Sequence, residues 1–149
     1  MLYCKKLDPK AILPTVAHPG EDLAYDLYAI EDVLLTKSHH QRPIMISTGI
    51  AAKFVKEETG HRFGLLIRDR SSMASKGIIT SAGVIDSTYT GEIKVLLTNH
   101  GPDDYQVHAG DKIAQMIPIS VYTQEKVIEI SEFPEESSRA NKGFGSSGR

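Results

Sequence analysis

The sequence contains a single cysteine, Cys4, among its 149 residues. One thiol cannot form an internal disulfide, and it excludes a zinc site built from several cysteines. No apolar run is long enough to span a membrane, so we expect no membrane partner. The first ten residues become charged at Lys5 and Lys6 and reach Pro9 without the apolar region of a secretory signal. We therefore expect a cytoplasmic protein.

An excess of charge of one sign is also absent, since the formal net charge is −2. Broad attraction to a nucleic acid needs many cations, so we expect no nucleic-acid partner. A few local cations can still bind a free nucleotide. None of the six histidines belongs to a metal-binding pair such as H-E-x-x-H, so we interpret all six as solvent-facing. The chain has no internal repeat, and its length fits one domain.

Short apolar segments separated by turn residues run through residues 1–130. Strands are predicted at 23–29, 44–50, 63–68, 92–98, 112–122 and 127–130. Their spacing is typical of an all-β sandwich or barrel. One segment differs, because residues 71–76 begin with serine, end with lysine and precede Gly77, a pattern that predicts a short helix with a left-handed cap.

The composition changes near residue 131, where serine, glycine and charged residues replace the apolar segments. Such a segment cannot bury enough apolar surface to order itself. We therefore predict a β core over residues 1–130 and a flexible C-terminal arm over residues 131–149. A frayed end without function is the alternative interpretation.

The arm contains the sequence GFGSSG at residues 143–148. It cannot be a Rossmann or phosphate loop, because those loops follow a strand and open a helix. Arg139 can nevertheless make a charge-assisted phosphate contact, and Phe144 can stack on a base. Backbone amides and hydroxyls that can bind an anion belong to Gly145, Ser146 and Ser147.

Two further stretches carry groups suited to chemistry. In residues 68–77, Arg70 precedes two hydroxyls at a predicted helix start, a position that attracts anions. In residues 83–99, two apolar segments flank a turn and predict a hairpin. There Asp86 follows apolar neighbours that could partly desolvate it and make it a better general base. A capped helix, an ordinary turn aspartate and a cross-strand tyrosine at Tyr89 are the structural alternatives.

Taken in order, five stretches resemble the five motifs of the trimeric deoxyuridine triphosphatase (dUTPase) family. They are LAYDLYA, RSSMASKG, GVIDSTYTGE, GDKIAQ and RANKGFGSSG, which together run from residue 23 to residue 148. Asp26 in the first and Gln115 in the fourth would be ordinary strand residues if they stood alone. Five motifs in the right order are specific, and the resemblance implies hydrolysis of dUTP to dUMP and pyrophosphate.

The resemblance also implies a role for each matching residue. Asp86 would activate the water that attacks the α-phosphorus, and Tyr89 would pack under the sugar and exclude a 2′-hydroxyl. Backbone groups at Gly83, Val84, Ile85 and Asp86, and near Lys94, would pair with uracil. The phosphates would be held by Arg70, Ser71 and Ser72, with Gln115 supporting them, Arg139 reaching the terminal phosphate and Phe144 covering the uracil.

The implied cofactor and assembly follow from the same resemblance. Asp26 would bind Mg²⁺ through water, which suits a metal that keeps several waters. The implied fold is a jelly-roll-like β-sandwich or barrel. The implied assembly is a homotrimer with shared active sites, in which the arm crosses to a neighbouring subunit.

Two alternatives remain at this stage. A deoxycytidine triphosphate deaminase shares the fold and an RSS-type motif, but the position of its catalytic glutamate is Leu96 here and that of an arginine is Ser75. Without such an acid, deamination lacks a proton-transfer group. A non-catalytic nucleotide-binding regulator of the same fold would be expected to have lost Asp86 or the arm, and this chain has both.

Overall fold

The computed structural model describes residues 1–37, 42–55, 62–121 and 126–132. These residues form eleven strands and one short helix, which confirms the predicted all-β class. The strands are β1 (Leu2–Lys6), β2 (Tyr25–Tyr28), β3 (Val33–Leu35), β4 (Ile44–Ser47), β5 (Ile50–Phe54), β6 (Arg62–Arg68), β7 (Ile78–Ser81), β8 (Val84–Ile85), β9 (Lys94–Asn99), β10 (Tyr105–Val107) and β11 (Lys112–Val121), and the helix is α1 (Ser71–Ala74). No helix in this part of the chain is both long and apolar enough to cross a membrane.

The strands pair antiparallel in four small sheets. The largest has the order β2-β11-β6-β8, and a second has the order β4-β9-β7. Two strand pairs, β1-β5 and β10-β3, complete the described pairing. The long strand β11 lies between β2 and β6, so residues of three segments distant in sequence become neighbours along it.

One hydrophobic cluster joins these sheets. On β9, Val95 and Leu97 are buried, and Ile93 just before the strand is fully buried, while Lys94 is exposed. This alternation is the period of a strand with one face on the core. Burying each such side chain stabilises the fold by about 1.5–3 kcal/mol. The opposite face of the same strand is thereby left available to line a pocket.

The predicted segment 44–50 is two strands rather than one. The chain turns at Thr48 and Gly49, between β4 and β5. Thr48 is fully buried, and its hydroxyl donates a hydrogen bond to the carbonyl oxygen of Ile93. An apolar run does not reveal such a turn, because Thr48 is as buried as its apolar neighbours.

The predicted strand at 127–130 is wrong. Residues 126–130 form no strand, and the side chain of Val127 is fully exposed. Ile128 and Ile130 are also exposed. The alternating apolar pattern correctly indicated a segment with apolar side chains, but it does not say whether the same chain covers them.

The predicted helix at 71–76 is present but shorter, since α1 ends at Ala74 and turns follow to residue 77. Gly77 has the predicted left-handed conformation, with φ of 80°. A side chain there would also place its Cβ 2.6 Å from the backbone nitrogen of Gly101. Glycine is therefore required at this position both by conformation and by the close approach of the chain.

The predicted hairpin over residues 83–99 is also wrong. β8 pairs with β6, whereas β9 pairs with β4 and β7. The carbonyl oxygen of Gly83 accepts the backbone N–H of Ile67, and a Cβ on Gly83 would lie 2.7 Å from the Ile67 oxygen. The chain therefore leaves β7, joins the edge of β6 through β8, and returns to pair with β7 only in β9.

Candidate active site

Strand β11 brings three of the predicted site segments together. Gln115 on β11 lies opposite Asp26 on β2 and, on its other side, opposite Arg68 at the end of β6. The chain continues from Arg68 through Asp69 to Arg70 and the start of α1. Antiparallel pairing thus places the first, second and fourth motifs side by side, although they are far apart in sequence.

Arg70 is held in a defined orientation by three contacts. Its Nε donates to Asp26 Oδ1 at 2.8 Å, and its Nη1 donates to Ser72 Oγ at 3.2 Å and to the carbonyl oxygen of Lys112 at 3.3 Å. A guanidinium that is fixed along one edge presents its remaining N–H groups in a planar fork suited to phosphate. Ser72 therefore supports Arg70, as well as standing beside it in sequence.

Gln115 supports the same corner through the backbone. Its Nε2 donates to the carbonyl oxygen of Asp69 at 2.6 Å. The carboxylate of Asp69 in turn accepts the backbone N–H and the hydroxyl of Thr80. These contacts fix the backbone that leads into Arg70.

The side chains Asp26, Arg70, Ser71 and Gln115 line one open cavity of about 560 Å³, which we call the Arg70 pocket. Glu21 and Asp22 also line it. The pocket therefore combines a fixed cation with several carboxylates, and an anionic ligand is best accommodated there when it carries a cation of its own.

Lys112 is a site residue that the sequence pattern missed. Its Nζ lies 2.7 Å from Asp26 Oδ2, so both carboxylate oxygens of Asp26 contact cations. The hydrogen bond from Asp26 and its negative charge raise the pKa of the Lys112 ammonium above its usual value. The only sequence signal was the position of Lys112 inside the fourth motif, since the pairing depends on strand register.

The Asp26 environment does not fit a resident metal ion. Its two oxygens are occupied by Arg70 and Lys112. In the described ranges, no group of three or more histidine, cysteine, aspartate or glutamate side chains could hold an ion. Mg²⁺ keeps several waters and uses few carboxylates when it binds with phosphates, so this site suits only an ion that arrives with its ligand.

A second cavity, of about 320 Å³, gathers most of the third motif, and we call it the Tyr89 pocket. Its lining residues are Met45, Val84, Ile85, Asp86, Tyr89, Glu92, Lys94 and Leu96. Gly83 is not among them and instead makes the turn into β8. The deaminase glutamate position, Leu96, is therefore an apolar wall of this pocket.

Asp86 is exposed in the chain. The partial desolvation that we expected from Gly83, Val84 and Ile85 is therefore not supplied by these neighbours, because β8 turns their backbone toward β6. The backbone oxygen of Asp86 accepts the N–H of Tyr89 at 3.0 Å, which closes a turn at the rim of the pocket. The carboxylate is left free to approach a ligand from solvent.

The two pockets share no lining residue. One chain thus presents two separate groups of predicted site residues and does not join them in a single cavity. Arg139, Phe144, Gly145, Ser146 and Ser147 lie outside the described residues, so their predicted roles stay predictions.

Comparison with known proteins accounts for this arrangement of motifs. The sequence model of the dUTPase family matches residues 10–148. The chain belongs to the dUTPase family. It is 42% identical to the deoxyuridine 5′-triphosphate nucleotidohydrolase of Solibacter usitatus, over 97% of this chain and 94% of that one. It is 37% identical to the enzyme of the same name from Helicobacter hepaticus, over 97% and 86%.

The fold agrees with dUTPase structures. The dUTPase of Staphylococcus bacteriophage 80alpha with dUpNHpp superposes with a TM-score of 0.86 and 25% identity, over 100% of this chain and 99% of that one. This likeness confirms the predicted jelly-roll-like class. The dUTPase of phage phi11, described with a structural Mg(II) ion, superposes with a TM-score of 0.75 at 22% identity, over 91% of this chain and 99% of that one.

Proposed function

We propose that this chain hydrolyses dUTP to dUMP and pyrophosphate. The observation that carries the proposal is that a dUTPase-family chain presents two pockets of complementary chemistry. The Arg70 pocket offers a fixed guanidinium and a serine hydroxyl to phosphates. The Tyr89 pocket offers an aromatic ring, backbone polar groups and a carboxylate to a nucleoside.

Asp86 is the proposed general base. It orients a water and takes its proton as the water attacks the α-phosphorus, with pyrophosphate leaving. Arg70 stabilises the charge on the phosphate oxygens, an effect that is strongest when the cation is already fixed in place. Asp26 and Ser72 supply that preorganisation, because both hold the guanidinium.

Uracil recognition is proposed for the backbone of residues 83–86 and near Lys94. A base that is paired with fixed backbone groups is discriminated strongly, since a mismatched base leaves buried polar groups without partners. Tyr89 packs against the sugar in this arrangement and leaves no room for a 2′-hydroxyl.

Mg²⁺ is proposed to enter with the triphosphate and to contact Asp26 through water. The carboxylates of Glu21, Asp22 and Asp26 at the Arg70 pocket would repel a bare triphosphate. A divalent ion on the phosphates reduces that repulsion. The arm is proposed to close over the bound nucleotide, with Arg139 on the terminal phosphate and Phe144 on the base, and a cytoplasmic location stays a prediction.

A homotrimer with shared active sites is the proposed assembly. The two pockets of one chain are separate, so the Arg70 pocket of one subunit would complete the Tyr89 pocket of another. Subunit mixing tests this idea. Arg70→Ala and Asp86→Asn chains, each inactive alone, should regain activity when they are unfolded and refolded together, whereas a site contained within one chain would gain nothing.

Isotopic labelling tests the reaction itself. Hydrolysis in H₂¹⁸O by attack on the α-phosphorus places the label in dUMP and leaves pyrophosphate unlabelled. Mass spectrometry of the two products distinguishes this route from attack at the β-phosphorus. Label in the pyrophosphate, or products other than these two, would contradict the proposal.

A further inference from the structure

The loop from Asp86 to Glu92 folds back on itself at the Tyr89 pocket. The backbone N–H of Tyr89 donates to the Asp86 carbonyl oxygen at 3.0 Å. The phenolic hydroxyl of Tyr89 donates to the carbonyl oxygen of Glu92, also at 3.0 Å. The ring is thus held at its far end by the backbone of residue 92.

Close packing at Gly91 determines where the ring can lie. A Cβ on Gly91 would be 2.5 Å from the Tyr89 hydroxyl oxygen and 2.7 Å from Cζ. Real Cβ atoms do not approach other atoms so closely, so the ring position depends on the absence of a side chain at residue 91. The tyrosine ring is 44% exposed, and side-chain packing alone therefore holds it weakly.

Glu92 fastens the end of this loop to a distant part of the fold. Its Oε1 accepts the backbone N–H of Gly49 at 2.9 Å. Its Oε2 lies 3.5 Å from Lys94 Nζ. The Glu92 side chain is only 22% exposed, in contrast to the exposed loop that it anchors.

The turn that receives Glu92 is itself rigid. The carbonyl oxygen of Gly49 accepts the N–H of Leu7 at 2.7 Å, and the N–H of Ile93 donates to Ile50 at 2.8 Å. Thr48 beside it is fully buried. The Glu92 carboxylate therefore connects the loop with a fixed point of the core.

We propose that Glu92 is a positioning residue that sets the sugar selectivity of the enzyme by holding Tyr89. Its carboxylate, bound to the Gly49 N–H, fixes the backbone of residue 92. The carbonyl oxygen of that residue fixes the Tyr89 hydroxyl, and the ring then stays where a ribose 2′-hydroxyl would have to lie. The inference rests on the proposed dUTP hydrolysis.

The consequence is a division of labour within the loop. Asp86 serves the reaction, whereas the link from Gly49 through Glu92 to Tyr89 serves selectivity. Loosening that link should admit UTP while leaving the turnover of dUTP largely intact. A purely structural role for Glu92 would instead lower the activity on both nucleotides together.

The first experiment compares Glu92→Ala with Glu92→Gln, and uses the exposed Glu31→Ala as the control. The readout is kcat/KM for dUTP and for UTP, with a melting temperature for each variant. Glu92→Ala should lower the dUTP/UTP ratio about tenfold, the effect of losing one hydrogen bond, mainly by raising the UTP value. Glu92→Gln should keep a nearly normal ratio, because its amide oxygen still accepts the Gly49 N–H.

Two further variants keep the inference testable if Glu92→Ala fails to fold. Tyr89→Phe removes only the phenolic donor, and Gly91→Ala displaces the ring without altering Glu92. Both should relax the dUTP/UTP ratio in the same direction. The double variant Tyr89→Phe with Glu92→Ala should be no more relaxed than the stronger single variant, since both act on one link.

Three results would overturn the inference. They are a folded Glu92→Ala enzyme with the normal ratio, equal impairment of Glu92→Ala and Glu92→Gln, and normal ratios in both Tyr89→Phe and Gly91→Ala. The second result would assign the effect to charge rather than to the Gly49 hydrogen bond. If the wild-type protein does not hydrolyse dUTP, the proposed function fails as well, a result distinct from these three.

Discussion

Arg70 Nε and Asp26 Oδ1 are 2.8 Å apart, and this pair connects the first and second motifs across the central strand of the largest sheet. The Arg70 and Asp26 side chains are only 27% and 14% exposed. The partial burial of both partners makes the pair more than a surface ion pair, because less water competes for the guanidinium. We interpret it as the contact that prepares Arg70 for phosphate.

Arg70→Lys should reveal the value of that geometry. Lysine keeps the charge but loses the planar fork that contacts Asp26 and Ser72. We expect kcat/KM for dUTP to fall about 10–100-fold, as for the loss of a charge-assisted hydrogen bond. Arg68→Lys is the matched control, since Arg68 is two residues away and exposed. Equal effects of the two substitutions would show that charge alone matters.

Asp86→Asn keeps the shape of the side chain but removes the proposed base. We expect kcat to fall about 10²–10⁴-fold, the usual contribution of a positioned general base. The KM should change little, since a negative charge near the phosphates is also lost. Steady-state kinetics measure both constants, with the exposed Asp103→Asn as the control. A nearly normal kcat would mean that another group activates the water.

Adjacent leucines on β3 offer a direct test of the core. Leu35 is buried, with 1% of its surface exposed, whereas Leu34 points outward and is 49% exposed. Leu35→Ala should lower the free energy of unfolding by about 2–5 kcal/mol, and Leu34→Ala by less than about 0.5 kcal/mol. Urea unfolding of the two variants measures the difference. Similar losses would contradict the described core.

Deletion of residues 138–149 tests the proposed arm. The segment is too polar to contribute much to the core, so the melting temperature and the oligomeric state should stay nearly unchanged while activity collapses. Phe144→Ala should show a milder loss, since stacking on a base contributes about 1–3 kcal/mol. Full activity in the truncated protein would identify the segment as a frayed end.

The strands that could be predicted from sequence are those with a clear local pattern. Residues 63–68 and 112–122 correspond to β6 and β11, as far as residue 121 of the second is described. Gly77 was predictable because a helix cap has a local signature. The hairpin at 83–99 was wrong, because apolar alternation in β8 and β9 does not specify which strand each of them pairs with.

The same limit applies to the candidate site. The motifs identified Asp26, Arg70 and Gln115, and the structure brings these side chains into one pocket. Local sequence could not reveal that Lys112 pairs with Asp26, or that Glu92 binds Gly49. Both contacts join residues that are distant in sequence, and they arise only from strand register and from the turn at Gly49.

The most direct test of the account is the specificity of the wild-type protein for its nucleotide. Pyrophosphate release should be measured with dUTP, dCTP, dTTP and UTP in the presence of Mg²⁺. We expect kcat/KM for dUTP to exceed that for dCTP about a hundredfold or more, because cytosine would leave fixed backbone groups without partners. Comparable values for dUTP and dCTP, or release of ammonia from dCTP, would contradict the assignment.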